Sequence, residues 1–336
     1  AEHYLPVSWD RALDLVAGRL ADTIAAHGSD AVAGLASARC TNEENYLFQK
    51  LMRATVGTNN VDHCARLCHA STVTGLGSAF GSGAMTNTIH GLRDADCLLV
   101  TGSNTSESHP VISYEVMRAV KRGANLIVID PRRVPLARHA TLFLQPLPGT
   151  DIYVFLAMMH VILREGWEDR AFIDARTEGF DVLALSAQAV TPQDAERVSR
   201  VPADQIVKAA RLYALGERHW GESMFDDGRG HSSILYAMGI TQRSNGTDLV
   251  RALASLSAMC GQVGKPSTGV NPLRGQSNVQ GACDLGALPN VLPGYQSVTD
   301  EQSRAAAAAV WDVAGLPATP GLTVVEMTHA AGDVPD

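Results

Sequence analysis

Nowhere in this chain of 336 residues do two cysteines stand two residues apart. That spacing lets one segment supply paired ligands to an iron–sulfur cluster or a zinc ribbon, so neither is built from a single segment here. Also missing is a GxxxxGK run followed by Ser or Thr. The glycine-rich run GLGSAFGSG (75–83) does not follow a strand, so neither standard nucleotide fingerprint is met. Aliphatic runs such as CLLV and NLIVI are strand-sized and far short of a membrane span, and no signal-peptide pattern opens the chain. Charge is modest: 27 Lys and Arg stand against 35 Asp and Glu, a net of −8. A general nucleic-acid or anionic-membrane surface is therefore disfavoured, although a local basic pocket is not. Repeats and low-complexity tracts are absent.

What is present is a globular composition, with 46% hydrophobic and 18% charged residues and length enough for two domains. The chain opens AEHYLPVSWD without an initiator methionine, and both ends read as cut from a longer protein. Cys40, Cys64, Cys68, Cys97, Cys260 and Cys283 are scattered, which favours a reducing, cytoplasmic setting.

Residues 8–28 read as a helix with Ser8 as N-cap and Gly28 as stop. AVAGLAS is a short strand. The next helix opens with Thr41 and Glu44 in capping-box spacing and closes at Gly57. The alternation continues: DCLLVTG (96–102) is a strand, 109–123 a helix, NLIVIDPRR (125–133) a strand, and TLFLQPLPGTD (141–151) a strand turning into a helix to about Arg164. Strands that read as unbroken apolar runs are buried on both faces, so the class is α/β with ligand loops at strand carboxyl ends. Further on, 202–215 is a helix, 217–231 a surface insertion, SSILYAMGI a strand, 246–261 a helix and AAAAAVWDVAG another. Residues 264–290 show no periodicity and are rich in Gly, Asn, Gln and Ser, and LTVVEM near the end is a possible strand.

DHCARLCHAST (62–72) is open to three readings from the residues alone: a loose zinc pair, two ordinary cysteines, or Cys68 as a lone thiolate aided by Arg66 and His69. Asp130, ending an apolar strand, suits the paired donors of guanine or ribose hydroxyls, or merely a turn cap. PGTD (148–151) is a turn and N-cap, or a phosphate or sugar cradle. Arg274 suits bidentate capture of a small carboxylate, or is a solvated charge. His109 and His160 read as packing or capping histidines.

Together, NNVDHCARLCHASTVTGL, GSNTSESHP, IVIDPRR, LPGTD, YAMGITQ and NPLRGQSNVQGACDLGALP resemble the molybdopterin oxidoreductases over about residues 5–298. They look most like catalytic subunits of molybdenum- or tungsten-dependent formate dehydrogenases. The resemblance implies oxidation of formate to carbon dioxide at a bis(molybdopterin guanine dinucleotide) centre. Cys68 then falls on the metal ligand, His69 on the adjoining histidine and Arg274 on the formate-binding arginine. Asp130 falls on the reader of one guanine. Gly102, Asn104, Ser108, Arg132, Gly149, Asp151, Met238, Gly239 and Gln242 fall on cofactor-wrapping loops, and Gln276, Asn278 and Gln280 on the loop around the active site. The resemblance implies electron-transfer iron–sulfur or diaphorase subunits as partners, with no nucleic acid and no membrane segment. It also implies a 4Fe–4S cluster in an amino-terminal segment, and a carboxyl-terminal closing domain, both outside this chain. The isolated fragment is accordingly expected to be inactive. A nitrate reductase of the same superfamily and a non-catalytic scaffold of the same fold are the rival readings. The architecture expected is two Rossmann-like domains with largely parallel sheets: 64–276 as the cofactor domain, inserted in a second formed by 1–63 and 277–336.

Overall fold

A computed structural model describes residues 5–332. The chain divides into two compact units, Cys68–Gly275, and Ala1–Leu67 with Gln276–Asp336.

In the first unit to be formed along the chain, Ser8 accepts a hydrogen bond from the Arg11 amide and opens the helix Trp9–His27, which ends at Gly28 with φ 85°. Strand β1 (Gly34–Ala36) pairs in parallel with β2 (Val61–His63). Between them the helix Asn42–Lys50 starts in the reciprocal Thr41–Glu44 capping box and runs on as a π-helical turn, Leu51–Val56.

The unit Cys68–Gly275 is built on five parallel strands: β3 (Cys97–Thr101), β4 (Asn125–Ile129), β5 (Leu142–Leu144), β6 (Ser232–Tyr236) and β7 (Gly269–Pro272). Their spatial order is β5-β4-β3-β6-β7. Side chains alternate between two cores. Leu99, Ile127, Ile129 and Ile234 face the helices Asp151–Glu165, Ala203–Leu215 and Gly246–Met259. Leu98, Val100, Val128 and Leu235 face the helix Pro110–Lys121. Covering both faces is what allows the strands to be continuously apolar. Strand order reverses between β3 and β6, and crevices at such reversals lie outside the strands' carboxyl ends.

Several expectations are corrected. The aperiodic stretch 264–290 contains strand β7 and the helix Val279–Asp284. β7 is GVNP, poor in strand formers. It forms because its backbone pairs with β6 and because Thr86 bridges it, the Thr86 hydroxyl accepting from the Val270 amide. Pro272 is tolerated at the end of an edge strand. LTVVEM is not a strand but opens the helix Val324–Gly332: Thr323 and Glu326 cap one another, and this local device outweighs the strand preference of two valines. The segment 217–231 is irregular but anchored: Arg218, Ser223 and the His231 amide all bond the buried Asp96 carboxylate. The second Rossmann-like sheet is not formed among the described residues. In the unit of Ala1–Leu67 and Gln276–Asp336 the described residues form the β1–β2 pair and a two-stranded antiparallel hairpin, β8 (Val291–Leu292) with β9 (Gln296–Ser297).

Candidate active site

The reversal point is closed by backbone. Gly102, just past β3, has φ 55°, and its carbonyl accepts from the Gly239 amide at 3.0 Å, just past β6. A Cβ on Gly102 would stand 2.9 Å from the Gly239 carbonyl carbon, and one on Gly239 would stand 2.6 Å from Gly102 Cα. Only glycine permits this approach.

Cys68 is buried at the end of the short helix Ala65–Cys68, and the Thr241 hydroxyl donates to its carbonyl. His69 follows at the N-cap of the helix Ala70–Phe80. Its side chain does not cap. His69 Nε2 lies 2.9 Å from the Leu273 carbonyl, which can only accept, so that nitrogen carries the proton. Nδ1 then accepts from Thr72 Oγ1 at 2.8 Å, and Thr72 in turn accepts from the Tyr236 hydroxyl at 2.9 Å. Burial, reinforced by the nearby Arg274 charge, pushes the His69 pKa down to about 4, which suits this neutral tautomer. Arg274, half-buried just past β7, donates from Nη2 to the Gly83 carbonyl at 2.7 Å. It is therefore an oriented guanidinium rather than a solvated surface charge.

A second cluster lies at the ends of β4 and β5. Asp130 is buried and accepts from the Arg132 amide at 2.8 Å. Burial raises its pKa against the pull of that bond and of Arg132. Asp151 opens the helix Asp151–Glu165 and pairs through Oδ2 with Arg243. Thr150 donates to the Leu147 carbonyl, so its hydroxyl completes a turn, and Gly149 takes φ 91° there. Arg132, Ser108 and Gln242 are exposed, while Asn104, Met238 and Gly239 are half-buried.

Gln276, Asn278 and Gln280 fall in the other unit. There Asn278 donates to the Cys40 carbonyl and Asn42 Oδ1, and its amide donates to the Ala38 carbonyl. Cys64 also falls in that unit and is half-buried.

Sequence reasoning missed Gly83, Thr72, Tyr236, Thr241, Arg243 and His109. The signal for Gly83 was the run GLGSAFGSG, set aside as a failed phosphate loop: its last glycine supplies a carbonyl to Arg274. Arg243 directly follows the YAMGITQ motif. Thr72, His109, Tyr236 and Thr241 lie inside the quoted motifs DHCARLCHAST, GSNTSESHP and YAMGITQ, but nothing local marks the partners they find.

The polar inventory has gaps at the carboxyl ends of the strands. Thr101 Oγ1, Asn104 Oδ1, His109 Nδ1 and Asp151 Oδ1 are buried with no hydrogen-bond partner among the described residues. Each such atom costs about 1–3 kcal/mol unless something pairs with it. The oxygens suit the amino and ring N–H donors of a pterin, so the residues present fit a pterin cofactor lying against the strand ends.

Residues 1–334 match the family model described as molybdopterin oxidoreductase, and the chain belongs to that family. The alpha subunit of F420-dependent formate dehydrogenase 1 of Methanococcus maripaludis is 48% identical over 326 residues, covering 97% of this chain and 45% of that protein. Formate dehydrogenase H of Escherichia coli is 43% identical over 327 residues, covering 97% of this chain and 44% of that protein. The chain thus spans less than half the length of either relative. Among solved structures, acetylene hydratase from Pelobacter acetylenicus superposes with a TM-score of 0.63 at 28% identity, over 78% of this chain and 34% of that one. No helix among the described residues is long and apolar enough to cross a membrane.

Proposed function

We propose that this chain is the core of a formate dehydrogenase catalytic subunit, taking formate to carbon dioxide at a molybdenum or tungsten centre held by two molybdopterin guanine dinucleotides. The observation that carries the reading is Arg274, fixed past β7 with its guanidinium braced on Gly83 and within charge range of His69, the neighbour of Cys68. Relatives named as formate dehydrogenases support it.

Cys68 supplies a soft thiolate ligand. The metal–pterin group, when bound, supplies the two-electron redox chemistry. Arg274 offers a planar fork to the formate carboxylate and fixes its orientation in the site. Carbon dioxide is neutral and linear, so the charge-assisted pair that holds the substrate is lost with the product. His69, with both ring nitrogens committed, keeps Leu273 and hence Arg274 in place. Asp130, with its buried carboxyl, accepts from a guanine amino edge. Asn104 and Asp151 offer their unpartnered oxygens to the rest of the dinucleotide. Electrons leave to iron–sulfur or diaphorase subunits.

The test is formate-dependent dye reduction by the full-length, cofactor-loaded protein, with nitrate as the rival substrate. Formate should be oxidised. Cys68→Ser should abolish turnover, and Arg274→Lys should lower kcat/KM by about a hundredfold with metal content intact, because the charge survives and the fork does not. Nitrate reduction without formate oxidation would overturn the reading.

A further inference from the structure

His109 stands at the N-cap of the helix Pro110–Lys121 and, like His69, makes no side-chain cap. Its Nε2 lies 2.7 Å from the carbonyl of Arg274. A carbonyl accepts only, so His109 donates. The next carbonyl back, that of Leu273, is held in the same way by His69. Two successive carbonyls past β7 are therefore each tied to an imidazole from the start of a different helix. The Leu273 amide completes the hold by donating to the Tyr236 carbonyl at 2.8 Å. β7 ends at Pro272, and Gly275 is exposed.

The geometry points to His109 as a positioning residue for Arg274. The argument is one of leverage. An arginine side chain spans several rotatable bonds, and its guanidinium is braced on the Gly83 carbonyl. Orientation of the fork then depends on the backbone from which it springs. The Leu273 carbonyl alone leaves the Arg274–Gly275 peptide free to rotate. The His109 bond to the Arg274 carbonyl removes that rotation. His109 is itself fixed: its amide donates to the Thr105 carbonyl at 2.9 Å and its carbonyl accepts from Ser113 at 2.9 Å. The expectation that His109 is a capping or packing histidine is thereby replaced. It holds the substrate-side arginine from behind, without touching substrate. The inference rests on the formate reading only for the identity of the anion, and the clamp itself does not depend on it.

The experiment uses the full-length holoenzyme and two variants, His109→Ala and His109→Gln. A glutamine amide can place an N–H near the position of Nε2, and alanine cannot. Two readouts are taken. The first is amide hydrogen exchange of peptides covering 270–276 without formate. The second is steady-state formate kinetics. In His109→Ala, exchange in that peptide should speed up by about tenfold, the loss of one net hydrogen bond. KM for formate should rise by a similar factor, with kcat falling less. His109→Gln should restore both to near wild type. Exchange unchanged in both variants would overturn the clamp, as would equal damage in both. Faster exchange in the alanine variant, rescued by glutamine, with formate kinetics unmoved, would uphold the clamp and count instead against Arg274 as the formate-binding group.

Discussion

Asp130 directly follows β4 with its carboxyl almost withdrawn from water, and burial raises its pKa above the ordinary 3.8. A carboxyl with a raised folded-state pKa contributes most to stability when protonated, below its unfolded pKa, and that contribution is lost as pH rises through the folded value. Above the unfolded value, ionising Asp130 in the cofactor-free fold therefore costs stability. Asp130→Asn retains an acceptor for the Arg132 amide and removes the charge. The cofactor-free variant should unfold at a higher temperature than wild type at pH 7, the gap closing as pH is lowered towards 3.8 and below. The same change should lower guanine-nucleotide pterin content, since a neutral amide offers one acceptor where a carboxylate offers two. Thermal scans against pH on stripped protein, with pterin assay of purified protein, check the two halves separately. A variant no more stable at pH 7 would show that the carboxylate is compensated within the fold.

At the scale of elements, the junction past β3 and β6 depends on two backbones meeting with no side chain between them. Gly102→Ala would combine a left-handed φ with a Cβ 2.9 Å from the Gly239 carbonyl carbon and Ile240 nitrogen. Backbone atoms cannot rotate away, so the strand ends must separate. The expected cost is about 3 kcal/mol or more, larger than the roughly 1 kcal/mol that the left-handed φ alone would carry. Chemical denaturation of the stripped protein measures it, and a cost near 1 kcal/mol would mean that the approach is looser than the structure has it. Met238 and Gln242 ride on the same junction, so cofactor retention should fall with stability.

At the scale of the molecule, Arg53 explains how two distant parts of the chain make one unit. It is about 1% exposed and gives hydrogen bonds to Gln49 Oε1, Asn59 Oδ1 and the carbonyls of Gly286, Leu288 and Val291. Burial lowers its pKa to about 10, and the partners it finds are five neutral acceptors. Lysine has three donors on a single nitrogen and cannot reproduce this fan. Arg53→Lys should therefore destabilise the unit of Ala1–Leu67 and Gln276–Asp336 by about 3 kcal/mol. Amide exchange in peptides covering 286–291 should rise sharply, while peptides from β3 and β4 stay protected. Uniform exposure of both units would show that they do not open independently.

The sequence by itself determined what neighbouring residues can settle among themselves. The Ser8 cap, the Thr41–Glu44 box, the buried runs of β3 and β4, and Asp130 at a strand end were all legible, because caps and strand periodicity act over a few residues; Arg274 was legible only as an arginine in a polar loop, since β7 before it carries no strand pattern. The Thr323–Glu326 box is equally local, but the strand preference of Val324 and Val325 beside it points the other way. The tertiary structure decided the rest. Gly83 meets Arg274 across 191 residues, His109 meets the Arg274 carbonyl across 165, and His69 meets Leu273 across 204. Each depends on strand order, which brings the end of β7 beside helices begun far earlier. A hydrogen bond is satisfied only within about 3 Å. Local periodicity carries no record of which strand will lie next to which, so only folding reveals that two histidines and a glycine carbonyl surround one arginine.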